Sequence, residues 1–244
     1  MAIRDLRVLA VVPARGGSKG IPGKNLRRVG DRSLVAHAAG IACKLACVDA
    51  AILSTDDPEI AAEGERHGLE VPFLRPAALA GDFATSVDVW RHAWLEAERG
   101  HGCRFDISIL LEPTSPLRRL EDVERAIEAL LASGADCCFT VSETPAHFSP
   151  QKTLWIRPDQ RIEFYLPVAE SETIRQRIPA YVHRNGICYV VRRGHLIEGG
   201  KIIEPGSLPV LIERPVVNID DPFELDLANW LYQRQLSEGL ASHA

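Results

Sequence analysis

The stretch VVPARGGSKGIPGKN, Val11 to Asn25, packs glycines, a serine, two lysines and an arginine into one short turn after an apolar run that starts at Val8. Such a run reads as a buried strand that delivers the chain at Pro13. The glycines let backbone N–H groups approach an oxyanion with no Cβ in the way, and Arg15, Lys19 and Lys24 offer cations on several sides. The loop therefore suits a polyphosphate. Two familiar phosphate fingerprints fail on spacing: counting back from Lys24 puts Ser18 where a P-loop needs its first glycine, Asn25 follows the lysine, and no GxGxxG occurs. A solvated basic turn is the competing reading. The position after the first strand of an alternating α/β chain, where ligands collect at strand carboxyl ends, favours a binding loop.

That alternation extends outward from the loop. Strand-like LRVLAVVP, AAILSTD, EVPFL, DISILLEP and DCCFTV are interleaved with helix-like SLVAHAAGIACKLACV, PEIAAEGERHG, TSVDVWRHAWLEAER and LEDVERAIEALLA. Asp57 is placed as an N-cap, Pro58 as the first helical residue and Gly68 as the stop. The expected fold is α/β, a three-layer, doubly wound, mostly parallel sheet. After Val141 the pattern breaks into proline and charge, with weak alternation in KTLWI and RIEFYL and a short helix at SETIRQR. Residues 142–182 are read as an insertion serving as a flap or dimer contact, and 1–141 with 183–244 as the core. GICYVV reads as a strand, and PFELDLANWLYQRQL as a closing amphipathic helix.

A formal net charge of −5 argues against a general nucleic-acid binder, so any anion must be held by local charge. The six cysteines form no CxxC pair, and the eight histidines show no ligand spacing for a transition metal. The cysteines read as reduced, mostly buried thiols, and no apolar run is long enough to span a membrane. A soluble, cytoplasmic protein is expected. Trp90 and Trp94, four apart on one helical face, read as core or interface, and Ser115 lacks the GxSxG elbow of a hydrolase nucleophile.

ARGGSKGIPGKN resembles the signature of the acylneuraminate cytidylyltransferases, which make CMP-activated sialic and related nonulosonic acids, and LSTDDPEIA, RPAALAGDFATS, LLEPTSPLR and NIDDPFELDLA agree in order and spacing. The resemblance implies a nucleotide-diphospho-sugar-transferase-like core with a small dimerisation insertion, and a reaction in which a 2-keto sugar acid attacks CTP, releasing pyrophosphate with help from Mg²⁺. It implies that Arg15, Gly16, Gly17, Ser18, Lys19, Lys24 and Asn25 line the triphosphate, Lys24 stabilising the leaving pyrophosphate. Arg75 and the backbone around Ala80 and Gly81 would read the cytosine, and Ser86 would touch the nucleotide. Asp220 is the implied metal ligand, with Asn218 and Asp221 beside it; Arg15, Lys24 and Asp220 are the implied catalytic groups. Lys152 and Arg175 would approach the sugar carboxylate, and Arg184, Asn185 and Tyr189 would line the sugar site, Tyr189 equally serving as packing. Asp56 reads either as a cap beside Asp57 or as a ligand.

Three positions depart from that pattern. Glu112 replaces a glutamine, so an acceptor-only group either faces a donor on an altered sugar or pairs with an arginine. His183 stands where the family has arginine, and Arg184 would point to the opposite face of an extended strand. Asn218 removes one charge from the metal motif. Two alternatives accompany the main reading: a nucleotide-sugar-dependent glycosyltransferase, and a catalytically weakened nucleotide-binding paralogue.

Overall fold

A computed structural model describes residues 6–166 and 179–239. The helix expected in SETIRQR and the candidate Arg175 lie outside them. In chain order the elements are β1 (Val8–Pro13), β2 (Arg28–Val29), β3 (Arg32–Ser33), α1 (Leu34–Ala42), β4 (Ala50–Ser54), α2 (Pro58–Arg66), α3 (Ser86–His101) and β5 (Ile107–Leu110), then α4 (Leu120–Ala132), β6 (Cys137–Glu143), β7 (Leu154–Ile156), β8 (Ile162–Phe164), β9 (Val182–Arg192), β10 (Leu208–Leu211) and α5 (Pro222–Ser237). Local chemistry explains several boundaries. Asp57 accepts hydrogen bonds from the Glu59 and Ile60 amides at the start of α2, Pro58 needs no amide partner there, and Thr85 caps α3 through the Asp88 amide.

Six strands form one sheet in the order β10-β6-β9-β5-β1-β4. β1 pairs in parallel with β4 and β5, and β10 with β6, while β9 runs antiparallel between β5 and β6. Side chains of β1 are covered on both faces, which is why its sequence is continuously apolar rather than alternating. On one face Val8, Ala10 and Val12 pack with Val35, Ile41, Ile60, Val123 and Ile127 of the helices. On the other, Leu9 and Val11 pack with Trp90, Trp94 and Ala97 of α3. The result is the expected three-layer, mostly parallel α/β fold. Both tryptophans are fully buried, and the Trp90 indole N–H donates to Ser108 Oγ at 2.8 Å.

Some expectations fail. The EVPFL segment forms only a single bridge, Glu70 to Ile52, because Pro72 has no N–H to extend the ladder and Arg75 N turns back to Thr55 O at 2.7 Å. β10 was not expected, since Pro209 sits inside it; as the sheet's edge strand it tolerates a residue without an amide donor. Of the six cysteines, none of which is disulfide-bonded, only Cys137, Cys138 and Cys188 are buried. Within 142–182, KTLWI and RIEFYL supply the two strands of a β7–β8 hairpin. No helix among the described residues is long and apolar enough to cross a membrane.

Candidate active site

The basic loop leaves the carboxyl end of β1 and is held in shape by its own surroundings. Ala14 N donates to Ser54 O at 2.9 Å, Gly16 N to Asp56 Oδ1 at 3.0 Å, and the buried Asn25 amide to Arg15 O at 2.9 Å. Asp56 thus positions the loop, and Asp57 is the helix cap. A Cβ at Gly16 would sit 2.5 Å from Asp57 Oδ2, and one at Gly20 would sit 2.2 Å from Asp220 O, so these two glycines are required by close approach. Beneath the loop, Ile21, Val29, Leu34, Leu117 and Ile219 make a third apolar cluster, closed by Ala228 and Leu231 of α5.

Each cation of the loop has a partner. Lys24 Nζ donates to Ile219 O and Asp220 Oδ1, both at 2.9 Å, tying the loop to the segment before α5. Arg15 and Lys19 both pair with Asp82, at 3.0 and 2.5 Å, and Arg15 Nη1 also reaches Ala80 O at 3.5 Å. Their charges hold the Asp82 carboxyl below its ordinary range, Lys19 contributing most. Arg75 is buried against Ser54, donating from Nε to its hydroxyl at 3.0 Å and from Nη2 to its carbonyl. Desolvation lowers its guanidinium to about 10, partly offset by Asp56.

Two adjoining clefts open above these groups. The first, about 260 Å³, is lined by Arg15, Lys24, Asn25, Arg75, Gly81 and Ser86, with Thr114 opposite. The second, about 300 Å³, is lined by Arg184, Gly186, Tyr189, Ile202 and Asn218. Ser86, Leu110 and Glu112 line both and form the partition. Among the described residues no hydrogen bond or ion pair engages the Glu112 carboxylate. Burial pushes its carboxyl above the ordinary value, with Asp220 adding to the rise and Arg118, Arg184 and Lys24 opposing it.

β9 shapes the second cleft through a bulge. Phe139 pairs with Tyr189 but Val141 pairs with Arg184, so residues 185–188 of β9 are displaced from the ladder beside the clefts. Gly186 adopts φ of +73°, and a Cβ there would lie 2.7 Å from Ser115 Oγ and 3.1 Å from Glu112 Oε2. Arg118 clamps this turn from below, donating to Glu112 O at 2.8 Å, Gly186 O at 3.3 Å and Ile187 O. Tyr189 both stacks on Phe139, with ring centroids 6.2 Å apart, and lines the cleft; burial raises its phenol to about 12. Arg184 faces the second cleft, whereas His183 points elsewhere, its ring Nδ1 3.1 Å from Thr144 Oγ1.

Other candidates lie apart from this centre. The Asn185 side chain turns away to Thr140 Oγ1 at 2.7 Å and Ser142 Oγ at 3.0 Å, so it is spent on fixing the bulge. Asp221 caps α5, its Oδ1 accepting from the Glu224 amide at 2.8 Å. Lys152 is exposed and lines neither cleft, and neither do Gly17, Ser18 and Lys19. Sequence reasoning gave no role to Asp82 or Arg118. Both sit inside quoted motifs, and only the fold shows that one neutralises the loop and the other holds the turn.

A mostly parallel α/β sheet with a cation-lined loop after its first strand and a shared double cleft defines a nucleotidyltransferase. Residues 9–166 match the family model described as cytidylyltransferase, and the chain belongs to that family. It is 30% identical over 236 residues to the CMP-N,N'-diacetyllegionaminic acid synthase of Legionella pneumophila, covering 96% of this chain and 97% of that protein. It is 26% identical over 229 residues to the pseudaminic acid cytidylyltransferase of Campylobacter jejuni, covering 93% and 97%. In fold it is similar to a CMP:2-keto-3-deoxy-manno-octonic acid synthetase solved with CTP, with a TM-score of 0.68 at 20% identity over 94% of this chain and 99% of that one.

Proposed function

We propose that this enzyme joins CTP to a nine-carbon 2-keto-3-deoxy sugar acid bearing acylamino groups, giving the CMP-sugar acid and pyrophosphate. The observation that carries the reading is the double cleft. A cation-rich chamber adjoins a second one lined by Arg184, with Glu112 and Ser86 shared between them. The first suits a nucleoside triphosphate and the second an organic acid, and their common wall is where the two must react.

In this reading the sugar's anomeric hydroxyl gives up its proton to solvent as its oxygen bonds to the α-phosphorus, the bond from that phosphorus to the bridging oxygen breaks, and pyrophosphate leaves with the electron pair. Arg15, Lys19 and Lys24 hold the β- and γ-phosphates, since positioning and charge stabilisation dominate such transfers. Arg75 and the backbone at Ala80 and Gly81 face the base. Arg184 takes the sugar carboxylate. Glu112, an unpaired acceptor in the partition, receives a donor from the sugar, an amide N–H or a hydroxyl. Asp220 fits a Mg²⁺ site: one of its oxygens is held by Lys24 while its side chain stays 74% exposed, and Mg²⁺ is commonly held by one or two carboxylates plus substrate phosphates. When bound there the ion would neutralise phosphate charge; Asn218, turned to the second cleft beside Gly186, is assigned to the sugar instead.

The exposed hairpin side chains Leu154, Trp155, Ile156, Ile162 and Phe164 support a homodimer formed through the insertion, working in the cytoplasm where CTP is made. Light scattering of Trp155→Ser with Ile162→Ser should show monomer where the parent chain is dimeric. The activity itself is tested by pyrophosphate release with CTP, Mg²⁺ and a panel of legionaminic, pseudaminic, neuraminic, deaminated nine-carbon and eight-carbon acids. Turnover confined to the acylamino nine-carbon acids is expected. Turnover only with the eight-carbon acid removes the sugar assignment. CTP binding without any turnover makes the chain a non-catalytic paralogue.

A further inference from the structure

We propose a divalent-cation site built by Asp136, His195 and Glu204, on the sheet edge opposite the clefts. The sequence gives no hint of it, since the three residues are 59 and 9 positions apart in the chain. Topology unites them. Asp136 precedes β6, His195 follows the end of the antiparallel β9, and Glu204 precedes β10, so all three reach the amino edge of the parallel strands. One donor atom from each lies within 4.8 Å of the other two.

The histidine's hydrogen bonding aims it at a cation. Its side chain is only 4% exposed, and Nε2 lies 3.3 Å from Ile202 O. A carbonyl can only accept, so Nε2 carries the hydrogen, and Nδ1 is the ring nitrogen turned to the carboxylates and available to an ion. Nδ1 lies 3.5 Å from Glu204 Oε1. The gap is longer than a charge-assisted hydrogen bond of about 2.7–2.9 Å. It matches the spacing of about 3.4 Å between two donors of a tetrahedral ion whose bonds are about 2.0–2.2 Å. A ring nitrogen donating its other N–H to a backbone carbonyl is also the arrangement that orients metal-bound imidazole.

The remaining charges leave room for an ion. Lys201 Nζ pairs with Glu204 Oε2 at 2.9 Å, neutralising the oxygen that faces away from His195. Two carboxylates and one ammonium sum to one negative charge, and an imidazole that binds a metal does so in its neutral form. Asp136 is exposed and free to swing inward to complete the set. One imidazole with two carboxylates suits Zn²⁺ or a similar borderline ion better than Mg²⁺. Such an ion would clasp the loop 199–207 to the start of β6. That loop carries Ile202, which lines the second cleft, so the clasp would steady one wall of the sugar chamber.

The test uses the full chain, stripped by a chelator, with Zn²⁺ alone and no nucleotide, followed by calorimetry and thermal melting. One equivalent should bind and raise Tm, and should persist in Asp220→Asn and in Cys43→Ser, which remove the active-site carboxylate and the exposed thiol. Asp136→Asn and Glu204→Gln should each weaken binding more than about tenfold while leaving CTP affinity unchanged. His195→Gln should abolish binding; if that buried change unfolds the chain, the two carboxamide variants still decide. No saturable Zn²⁺ binding in the parent chain, or binding undiminished in both carboxamide variants, overturns the site. If Glu204→Gln lowers Tm without metal and Zn²⁺ has no effect on the parent, the cluster is a histidine–glutamate ion pair and the proposal falls.

Discussion

Replacing Lys24 with methionine keeps the aliphatic stem and deletes only the charge and its donors. The Lys24 side chain is 14% exposed, and its ammonium holds two acceptors at 2.9 Å, Ile219 O and Asp220 Oδ1. The bond to the backbone carbonyl of a fully buried residue is charge-assisted and contributes about 1.5–3 kcal/mol. The bond to Asp220 is largely screened, because that carboxylate is mostly exposed, and adds about 0–1 kcal/mol. The variant should therefore lose roughly 1.5–4 kcal/mol, which in a chain of this size lowers Tm by roughly 3–16 °C. Catalysis is a separate quantity. If the same ammonium meets the charge that develops on the leaving pyrophosphate, kcat should fall about 10²- to 10³-fold. Thermal melting without nucleotide reads the first effect, and pyrophosphate release well below both melting points reads the second. Lys152→Met, remote from both clefts, should change neither CTP affinity nor Tm appreciably. A Tm loss of the stated size with kcat within about threefold of the parent, a change under 1 kcal/mol, would show that Lys24 is only a tether.

Glu112→Gln should raise Tm near neutral pH and lose that advantage towards acid. The folded chain holds the Glu112 proton more tightly than the unfolded chain does, so stability is lost as pH climbs from the ordinary 4.5 through the raised value. A gain equal at about pH 5 and about pH 8 would contradict the burial argument, and the same variant should shift preference within a panel of sugar acids. Gly186→Ala forces a side chain into a left-handed turn 2.7 Å from Ser115 Oγ, so it should lower Tm and raise KM for the sugar acid while CTP affinity holds; an unchanged KM would place the sugar elsewhere. Asp82→Asn frees Arg15 and Lys19, and should tighten CTP binding in calorimetry; weaker binding would mean that Asp82 itself touches the nucleotide.

Much of the fold was legible because it rests on local signals. β1 reads directly as an apolar run, and α2 is bounded by Asp57, Pro58 and Gly68, whose side-chain and backbone preferences act within a few residues. The place of β9 was not legible, since strand order and direction depend on partners up to 85 residues away, as in the Ile107–Arg192 pair. β10 was hidden by Pro209, which is tolerable only because the strand ends up at an edge. In the site, Arg15 and Lys24 stood out by charge within the glycine-rich loop, whereas Arg75 and Arg184 were singled out only through the family resemblance. Asn185 looked equally available, and only the bulge reveals that its amide is consumed by Thr140 and Ser142. Arg118, the last residue of LLEPTSPLR, drew no role from the sequence, and only the fold buries it beneath the turn it clamps.

The partners of the cradle residues bear on how nucleotide binds. Arg15 and Lys19 are paired with Asp82, and Lys24 with Asp220. Asp82 lies on the loop that begins at Ala80 and ends at the Thr85 cap of α3, the loop expected to read the base. A triphosphate brings several charges to the same cations, and exposed ion pairs contribute little, so displacing Asp82 costs little against what the phosphates gain. Once its cations turn to the phosphates, Asp82 no longer anchors that loop to the cradle. If the base and the phosphates both act on this segment, CTP binding and any rearrangement of residues 80–85 should occur as a single step, read as one phase in stopped-flow fluorescence of nucleotide binding.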